Sequence, residues 1–160
     1  MISAGRIVTV FRKKGRSGEF TKLASEFAPD QFSPVLDQLE NEEALIVGMR
    51  SGDEWFVITR PYLFLKHMQG RERVRLDAVV GILNNIREHA EGKHHGGTFR
   101  LRLRDGATIC VKVESGGPYV ALWNVFRYLC KMNNPPSNRP LMGRGAAKPT
   151  TDDQRPTTPL

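Results

Sequence analysis

Cysteines are scarce in this sequence and long apolar runs are missing. Two cysteines, Cys110 and Cys130, occur among 160 residues, and both fall in segments that we predict to be regular structure. No apolar run approaches the ~20 residues of a membrane-spanning helix. The N-terminus lacks the basic start, the full apolar stretch and the small-residue cleavage site of a secretory signal. We therefore expect a cytoplasmic protein with reduced thiols, because stable disulfides belong to oxidising compartments.

Recognisable catalytic motifs are missing as well. The sequence contains neither a glycine-rich phosphate loop nor a G-x-S-x-G nucleophile motif. Both cysteines are expected to serve core packing rather than nucleophilic attack. Trp55 and Trp123 are likewise expected in the core rather than at a ligand. These observations favour a binding protein without catalytic activity.

A group of histidines and acids raises the alternative of a metal site. Their spacing matches no closed ligand set, and adjacent histidines on a glycine-rich loop rarely converge on one ion. We therefore predict a solvated loop over residues 90–97, with no metal and no cofactor. The residues concerned are Glu88, His89, Glu91, His94 and His95.

Positive charge predominates and is unevenly distributed. The net charge of +7 and the pI near 9.8 permit nucleic acid, acidic lipid or an acidic protein as partner. Residues 1–22 contain six basic groups and one acid, whereas residues 23–43 contain six acids and no base. For residues 1–18 we predict a flexible basic N-terminus, with Ile7–Phe11 as an alternative edge strand. The cluster that could contact membrane or nucleic acid comprises Arg12, Lys13, Lys14 and Arg16.

Two short amphipathic helices are predicted over residues 19–41. In the first, Glu19–Glu26, apolar residues recur at helical spacing. The second begins at Asp30 or at Ser33–Pro34, where proline suits a first helical turn. Both have acidic outer faces. We expect them to pack on the main domain, with partner binding as the alternative.

From Ala44 onward the pattern changes to strands. Two aromatic and β-branched runs flank Arg60–Pro61, which predicts an antiparallel hairpin, because proline fits a turn better than a central strand. One long kinked strand is the alternative. The predicted strands are Ala44–Met49, Trp55–Thr59, Tyr62–Leu65, Arg71–Leu76, Val79–Ile86, Thr98–Arg104 and Thr108–Val113.

The last two strands should form a second hairpin. Within the strand Thr98–Arg104, residues 99–104 alternate apolar and basic side chains, and Asp105–Gly106 predicts a two-residue type I′ turn. After a glycine pair and Pro118, residues Tyr119–Met132 predict an apolar helix that is almost wholly buried. Residues 134–160 are rich in proline, glycine and polar residues, so we predict a disordered tail.

Seven short strands followed by one apolar helix is the element order of the pleckstrin-homology (PH) superfold. Over residues 42–133 the chain resembles the bacterial PH-like domains, and the likeness lies in the segments WFVIT, YLFL, RVRLDAVVGI and FRLRLRDGATICVKV. The resemblance implies a mainly β, α+β fold. In it, seven antiparallel strands form a PH-like barrel capped by a C-terminal α-helix, here preceded by two short N-terminal helices.

The resemblance implies a scaffold for binding rather than one chemistry. Family members that bind phosphoinositides use basic residues around the loop between the first two strands, which here is Met49–Glu54. That loop has one arginine beside two acids, so it is a poor phosphate cradle. Bacterial relatives are more often interaction or assembly modules, and a small cytoplasmic inhibitor or immunity-type protein would also fit the size.

Two arginine ladders are the main candidate binding residues. Alternate residues of a strand share one face about 6.5–7 Å apart, and arginine contacts phosphates and carboxylates in a bidentate manner. If the ladders share a sheet, they form one positive face; the alternative is a solvated face neutralised by nearby acids. The candidates for binding an anionic partner are Arg71, Arg73, Arg75, Arg100, Arg102, Arg104 and Lys112.

The sequence therefore predicts a non-catalytic binding or adaptor module that acts through contact with a protein partner. Peripheral attachment to an anionic membrane is the alternative, since each basic group near the surface contributes ~1 kcal/mol. Nucleic-acid binding ranks third, because exposed aromatic residues interleaved with basic ones are missing.

Overall fold

The computed structural model describes residues 1–136. Within them the chain forms two antiparallel sheets, of five and three strands, together with four α-helices. The predicted α+β class is confirmed, whereas residues 137–160 of the predicted disordered tail lie outside the described residues. The elements are α1 Ala4–Lys14, β1 Thr21–Leu23, α2 Pro29–Leu36, β2 Ala44–Ser51, β3 Glu54–Thr59, β4 Tyr62–His67, β5 Gly70–Arg75, β6 Val79–Ile82, α3 Ile86–His95, β7 Gly97–Leu103, β8 Thr108–Val113 and α4 Gly117–Asn133.

The first sheet, β1 to β5, is covered on both faces. β3 and β4 form the hairpin predicted around Arg60–Pro61, with Val57 opposite Phe64. The face that carries Phe56 and Leu65 belongs to the main core. The opposite face, with Val57 and Phe64, packs against buried side chains of α2. Burial on both faces explains why these strands have apolar runs without alternation.

The second sheet, β6 to β8, contains the other predicted hairpin with a different turn. Leu101 lies opposite Ile109, and the Leu103 N–H donates to the Ala107 carbonyl at 2.8 Å. In the turn, Gly106 has a φ of +90° but Asp105 has no positive φ. The predicted type I′ turn is therefore wrong, because that turn needs a positive φ at both central residues. The connection is a three-residue turn, which is the next most common class.

The C-terminal helix α4 fills the space between the two sheets. Eight of its residues are buried. The Tyr119 ring stacks on Phe99 of β7 with centroids 4.6 Å apart. At the other end of the helix, the Asn133 side chain donates to the carbonyls of Leu76 and Val79, both at 2.7 Å. These bonds fix α4 to the connection between the sheets, as expected for a helix that caps the core.

The N-terminal residues are not the flexible segment that the sequence predicted. Ala4–Lys14 form α1, whose residues Ile7 and Phe11 are 0% and 1% exposed in the main core. Gly15 permits a close approach to α4, since a β-carbon there would lie 2.3 Å from the Gly117 carbonyl oxygen. The apolar stripe of α1 is narrow and is followed by basic residues, so it resembled a solvated terminus.

One of the two predicted N-terminal helices is instead a strand. Thr21–Leu23 form β1, which pairs with β2 at the edge of the first sheet, and a short 3-10 turn follows at Ala24–Glu26. The Glu114 carboxylate holds this segment, because it accepts backbone N–H bonds from residues 19–21 at 2.8–2.9 Å. This long-range contact outweighs the local helical spacing. The second predicted helix is present as α2, Pro29–Leu36.

Much of the predicted loop over residues 90–97 is helical. β6 ends at Ile82 rather than at residue 86, and α3 spans Ile86–His95. A capping box starts the helix: the Asn85 side chain accepts from the Glu88 N–H, and the Glu88 carboxylate accepts from the Asn85 N–H, both at 2.8 Å. The N-x-x-E pattern of residues 85–88 was the signal for this helix, and the sequence prediction overlooked it.

All seven predicted strands are present and β1 adds an eighth. Among residues 1–136 no strand pairing joins the two sheets, so the described strands do not form a closed barrel. The sheets are connected through the β5–β6 segment and α4. On the other side, a cleft remains between the first sheet and β8.

Candidate functional site

The two predicted arginine ladders lie on different sheets. The first is on β5, an edge strand of the five-stranded sheet, whereas the second is on β7 and the turn after it, in the middle of the three-stranded sheet. The predicted single positive face required both ladders to lie on the same sheet, so the ladders do not form one.

The ladder on β5 makes contacts within the protein. Arg71 donates to the side-chain oxygen of Gln38 at 2.9 Å. Arg73 forms an ion pair with Glu40, and its guanidinium lies 4.8 Å from the centre of the Tyr62 ring. Both polar partners lie in the segment after α2, so these arginines fasten that segment to the sheet.

The ends of the two ladders meet at Asp77. Arg75 donates two hydrogen bonds to the Asp77 carboxylate, at 3.0 and 2.7 Å. These bonds are the main reason that the pKa of Asp77 is lowered, and the charge of Arg104 contributes to the same shift. Arg104 also donates to the Asn133 carbonyl at 3.0 Å. Both arginines therefore have internal partners.

The ladder on β7 is also largely paired. Arg100 donates to both carboxylate oxygens of Glu88, at 2.6 and 2.8 Å. The Asn85 N–H and then Arg100 lower the pKa of Glu88. Lys112, on the neighbouring strand, pairs with Glu54 at 3.1 Å. Within residues 1–136, Arg102 forms no ion pair.

The predicted basic cluster lies at the C-terminal end of α1. Arg12, Lys13 and Lys14 occupy its last turn, where the helix dipole favours cations. All three are exposed, as is Arg16. Arg12 and Arg16 border a hollow that Glu26 also lines, so an acid faces this part of the cluster.

The three histidines considered as metal ligands do not converge. His94 and His95 are exposed at the end of α3, with ring centroids 6.4 Å apart. His89 instead packs on Trp123, with centroids 4.0 Å apart. In the part of the chain that the structure describes, no group of three histidine, cysteine or acidic residues could hold a metal ion.

A cleft opens between the first sheet and β8. Its volume is about 330 Å³, within the range of ligand-binding pockets. The floor is apolar: Phe56, Leu65 and Ile109 are 3%, 3% and 7% exposed. The rim carries both signs of charge, including the Glu54–Lys112 pair. This mixed rim fits a polypeptide better than a phosphate group.

The free edge of β8 borders this cleft. β8 pairs with β7 on one side and, among the described strands, with none on the other. Leu103 and Ala107 are joined by a backbone hydrogen bond. Hydrogen-bonded and non-hydrogen-bonded pairs alternate along antiparallel strands, so the odd-numbered residues of β8 exchange hydrogen bonds with β7. The backbone N–H and C=O groups of the even-numbered residues therefore face away from β7. These residues, Thr108, Cys110 and Lys112, all line the cleft.

The two cysteines differ in exposure. Cys110 is exposed at the cleft, so the expectation that it is a core thiol is wrong; its neighbours on β8 face the core instead. Cys130 is half-buried, and burial raises the pKa of its thiol to about 11 although the charge of Arg102 acts in the opposite direction. Cys130 is therefore a neutral thiol at physiological pH.

A second concavity, which we call the basic groove, lies between α1, α4 and β6. Its volume is about 590 Å³, and it is lined by Arg6, Val10, Ile82, Asn124, Arg127, Tyr128, Cys130, Lys131 and Asn134. No carboxylate is among these residues. The sequence analysis missed Arg6, Arg127 and Lys131 as candidates. One feature of the sequence could have indicated them: neither residues 1–18 nor residues 115–136 contain an acidic residue.

Comparisons of the chain with protein-family models, with curated proteins and with solved structures find no match. Among residues 1–136, no helix is long and apolar enough to cross a membrane. The structure itself therefore defines the class: the described residues form an α+β domain of two antiparallel sheets and a C-terminal helix, with an open cleft beside a free strand edge.

Proposed function

We propose that the protein is a non-catalytic, PH-like binding module that acts through protein–protein interaction. The partner contributes an extended segment that pairs with the free edge of β8 and places apolar side chains in the cleft. The observation that carries this proposal is the position of that unpaired edge directly beside an apolar floor.

The order of elements supports the PH-like part of the proposal. After β1, four strands form one sheet, three strands form a second, and an apolar helix packs between them. That is the order of the PH superfold, to which β1, α1, α2 and α3 are additions. Under this reading, the loop after β2 corresponds to the phosphoinositide loop of the family, and the charge mixture around it favours a polypeptide ligand.

The cleft supports the protein–protein part. A free strand edge presents main-chain donors and acceptors that another extended chain can satisfy, and alternate side chains of the added strand then enter pockets. Thr108, Cys110 and Lys112 supply the main-chain groups, and Phe56 and Leu65 supply the apolar floor. His67, which also lines the cleft, lies 3.3 Å from the Glu72 carboxylate, so its side chain already has an acidic neighbour.

Removing a single backbone N–H, that of Cys110, tests the proposal. Cys110→Pro removes the N–H that faces the free edge but leaves the bonds to β7, so an edge strand should tolerate it. Cys110→Ala is the matched control, because it changes the same side chain and keeps the N–H. The tagged full-length chain is used to capture partners from nuclease-treated lysate of its own source. We expect one protein that binds the wild type and Cys110→Ala, and is lost with Cys110→Pro.

Equal recovery with all three forms would contradict strand addition at β8. Circular dichroism of Cys110→Pro verifies that it is folded. As a second measurement, a bound partner should slow iodoacetamide labelling of Cys110, because the thiol lies in the cleft. Unchanged labelling in the presence of the partner would place the partner elsewhere.

A further inference from the structure

The cations of the basic groove have no acid beside them. Arg6, Arg127 and Lys131 form no ion pair within residues 1–136, and no carboxylate lines the groove. All three side chains belong to exposed residues. Their mutual repulsion is therefore not compensated by the described part of the protein, which leaves them available to an anionic ligand.

The groove is elongated and has an apolar component. Its lining on α4 runs from Asn124 to Lys131, about 10 Å of helix, and Asn134 follows directly after the helix. Arg127 and Lys131 are one turn apart on the same side of α4. Val10 and Ile82 contribute apolar side chains from the two neighbouring elements.

We propose that the basic groove binds an acidic peptide segment of a partner protein. Charge complementarity favours a ligand with several anionic groups, and the extent of the groove along α4 favours groups that are spread along a chain. The apolar side chains of Val10 and Ile82 favour a segment that also carries apolar residues.

This inference goes beyond the proposed function, because the groove and the β8 cleft share no lining residue. The cleft is bordered by charges of both signs and presents main-chain groups, whereas the groove presents side-chain cations. A module with both surfaces could bind two segments at once, as an adaptor does.

The experiment is a fluorescence anisotropy titration of the full-length chain with a fluorescein-labelled peptide of alternating glutamate and leucine. The test variant is Arg127→Glu/Lys131→Glu. The matched control is Arg60→Glu/Arg87→Glu, which produces the same change in net charge at exposed residues outside the groove and outside the ladders. We expect affinity to fall about tenfold or more in the test variant and less than about twofold in the control.

Two results would overturn the inference. Equal losses in both double variants would mean that only net charge matters. The second result is binding to an oligothymidylate or to phosphatidylserine vesicles that is stronger than binding to the peptide. If the test variant also loses that binding, the groove is assigned to nucleic acid or to membrane. The Cys110→Pro variant should bind the acidic peptide as the wild type does, so failure of the β8 proposal and failure of the groove proposal are distinguishable.

Discussion

The arginine ladders and the basic groove contain similar side chains in opposite electrostatic settings. In the ladders, Arg73, Arg75 and Arg100 each have an acid as partner. In the groove, Arg127 and Lys131 have none among the described residues. The ladders were predicted as binding residues because their arginines recur at every second position of a strand. The comparison shows that regular spacing predicts a shared face, whereas binding capacity depends on whether the charges are already neutralised.

The acids and bases around the two regions titrate in keeping with this difference. In the ladders the pKa values of Asp77 and Glu88 are lowered, because each carboxylate accepts hydrogen bonds. Beside the groove the pKa of His89 is lowered by burial and by the charges of Lys93 and Arg127. Arg75 and Arg100 thus contribute to keeping their acidic partners ionised, whereas Arg127 adds to the effect of burial in disfavouring a charged His89.

The largest expected effect comes from weakening the packing of α1. If α1 detaches, Arg6 and Val10 leave the groove, and the groove no longer exists as a site to compare with the ladders. Phe11 is 1% exposed in the main core, and Phe11→Ala should lower the free energy of unfolding by about 3–5 kcal/mol. Urea unfolding measures the change. Lys14→Ala, on the exposed side of the same helix, is the control and should shift stability by less than about 0.5 kcal/mol. Equal stability of the two variants would mean that α1 does not contribute to the core.

Charge reversal at one arginine of each region should change stability by less than Phe11→Ala does, and in a different direction in the two regions. Arg100→Glu places a carboxylate against Glu88 and should measurably lower the melting temperature, though by less than Phe11→Ala does. Arg127→Glu removes repulsion in the groove, so the melting temperature should stay constant or rise slightly. Differential scanning calorimetry of both variants provides the measurement. A larger loss for Arg127→Glu would mean that the groove residue is the one with a structural partner.

The smallest expected effect is a pH dependence that comes from His89. Its pKa in the folded protein lies below the ordinary value of 6.5, so the unfolded chain binds the proton first as the pH falls. The stability that neutral His89 contributes is therefore complete above about pH 6.5 and is lost progressively below it. Urea midpoints measured at roughly pH 7.5 and 5.5 should differ more in the wild type than in His89→Phe. An identical pH dependence in both forms would contradict this assignment.

The strands and α4 could be predicted from sequence because each has a strong local pattern. The hairpin around Pro61, the alternation of residues 98–104 and the apolar stripe of α4 are all visible in the chain. α1 and β1 could not be predicted in the same way, because burial of Phe11 and the anchoring of residues 19–21 by Glu114 depend on distant contacts.

The candidate sites were harder to predict than the fold. Sequence reasoning placed Lys112 on an outward face but could not show the cleft beside it, since the cleft depends on how two sheets approach each other. Arg6 and Arg127 are more than a hundred residues apart in the chain. Their proximity follows from the packing of α1 on α4, and the sequence prediction had made α1 flexible.

The most direct test of the contrast between paired and unpaired cations is a nuclear magnetic resonance titration of the ¹⁵N-labelled full-length chain with the glutamate–leucine peptide at low salt. We expect the largest amide shift changes in α1 and in residues 124–134, with little change on β5 and β7. Largest changes at Arg71, Arg73 and Arg100 would contradict it, because the ladders would then bind anions despite their internal partners.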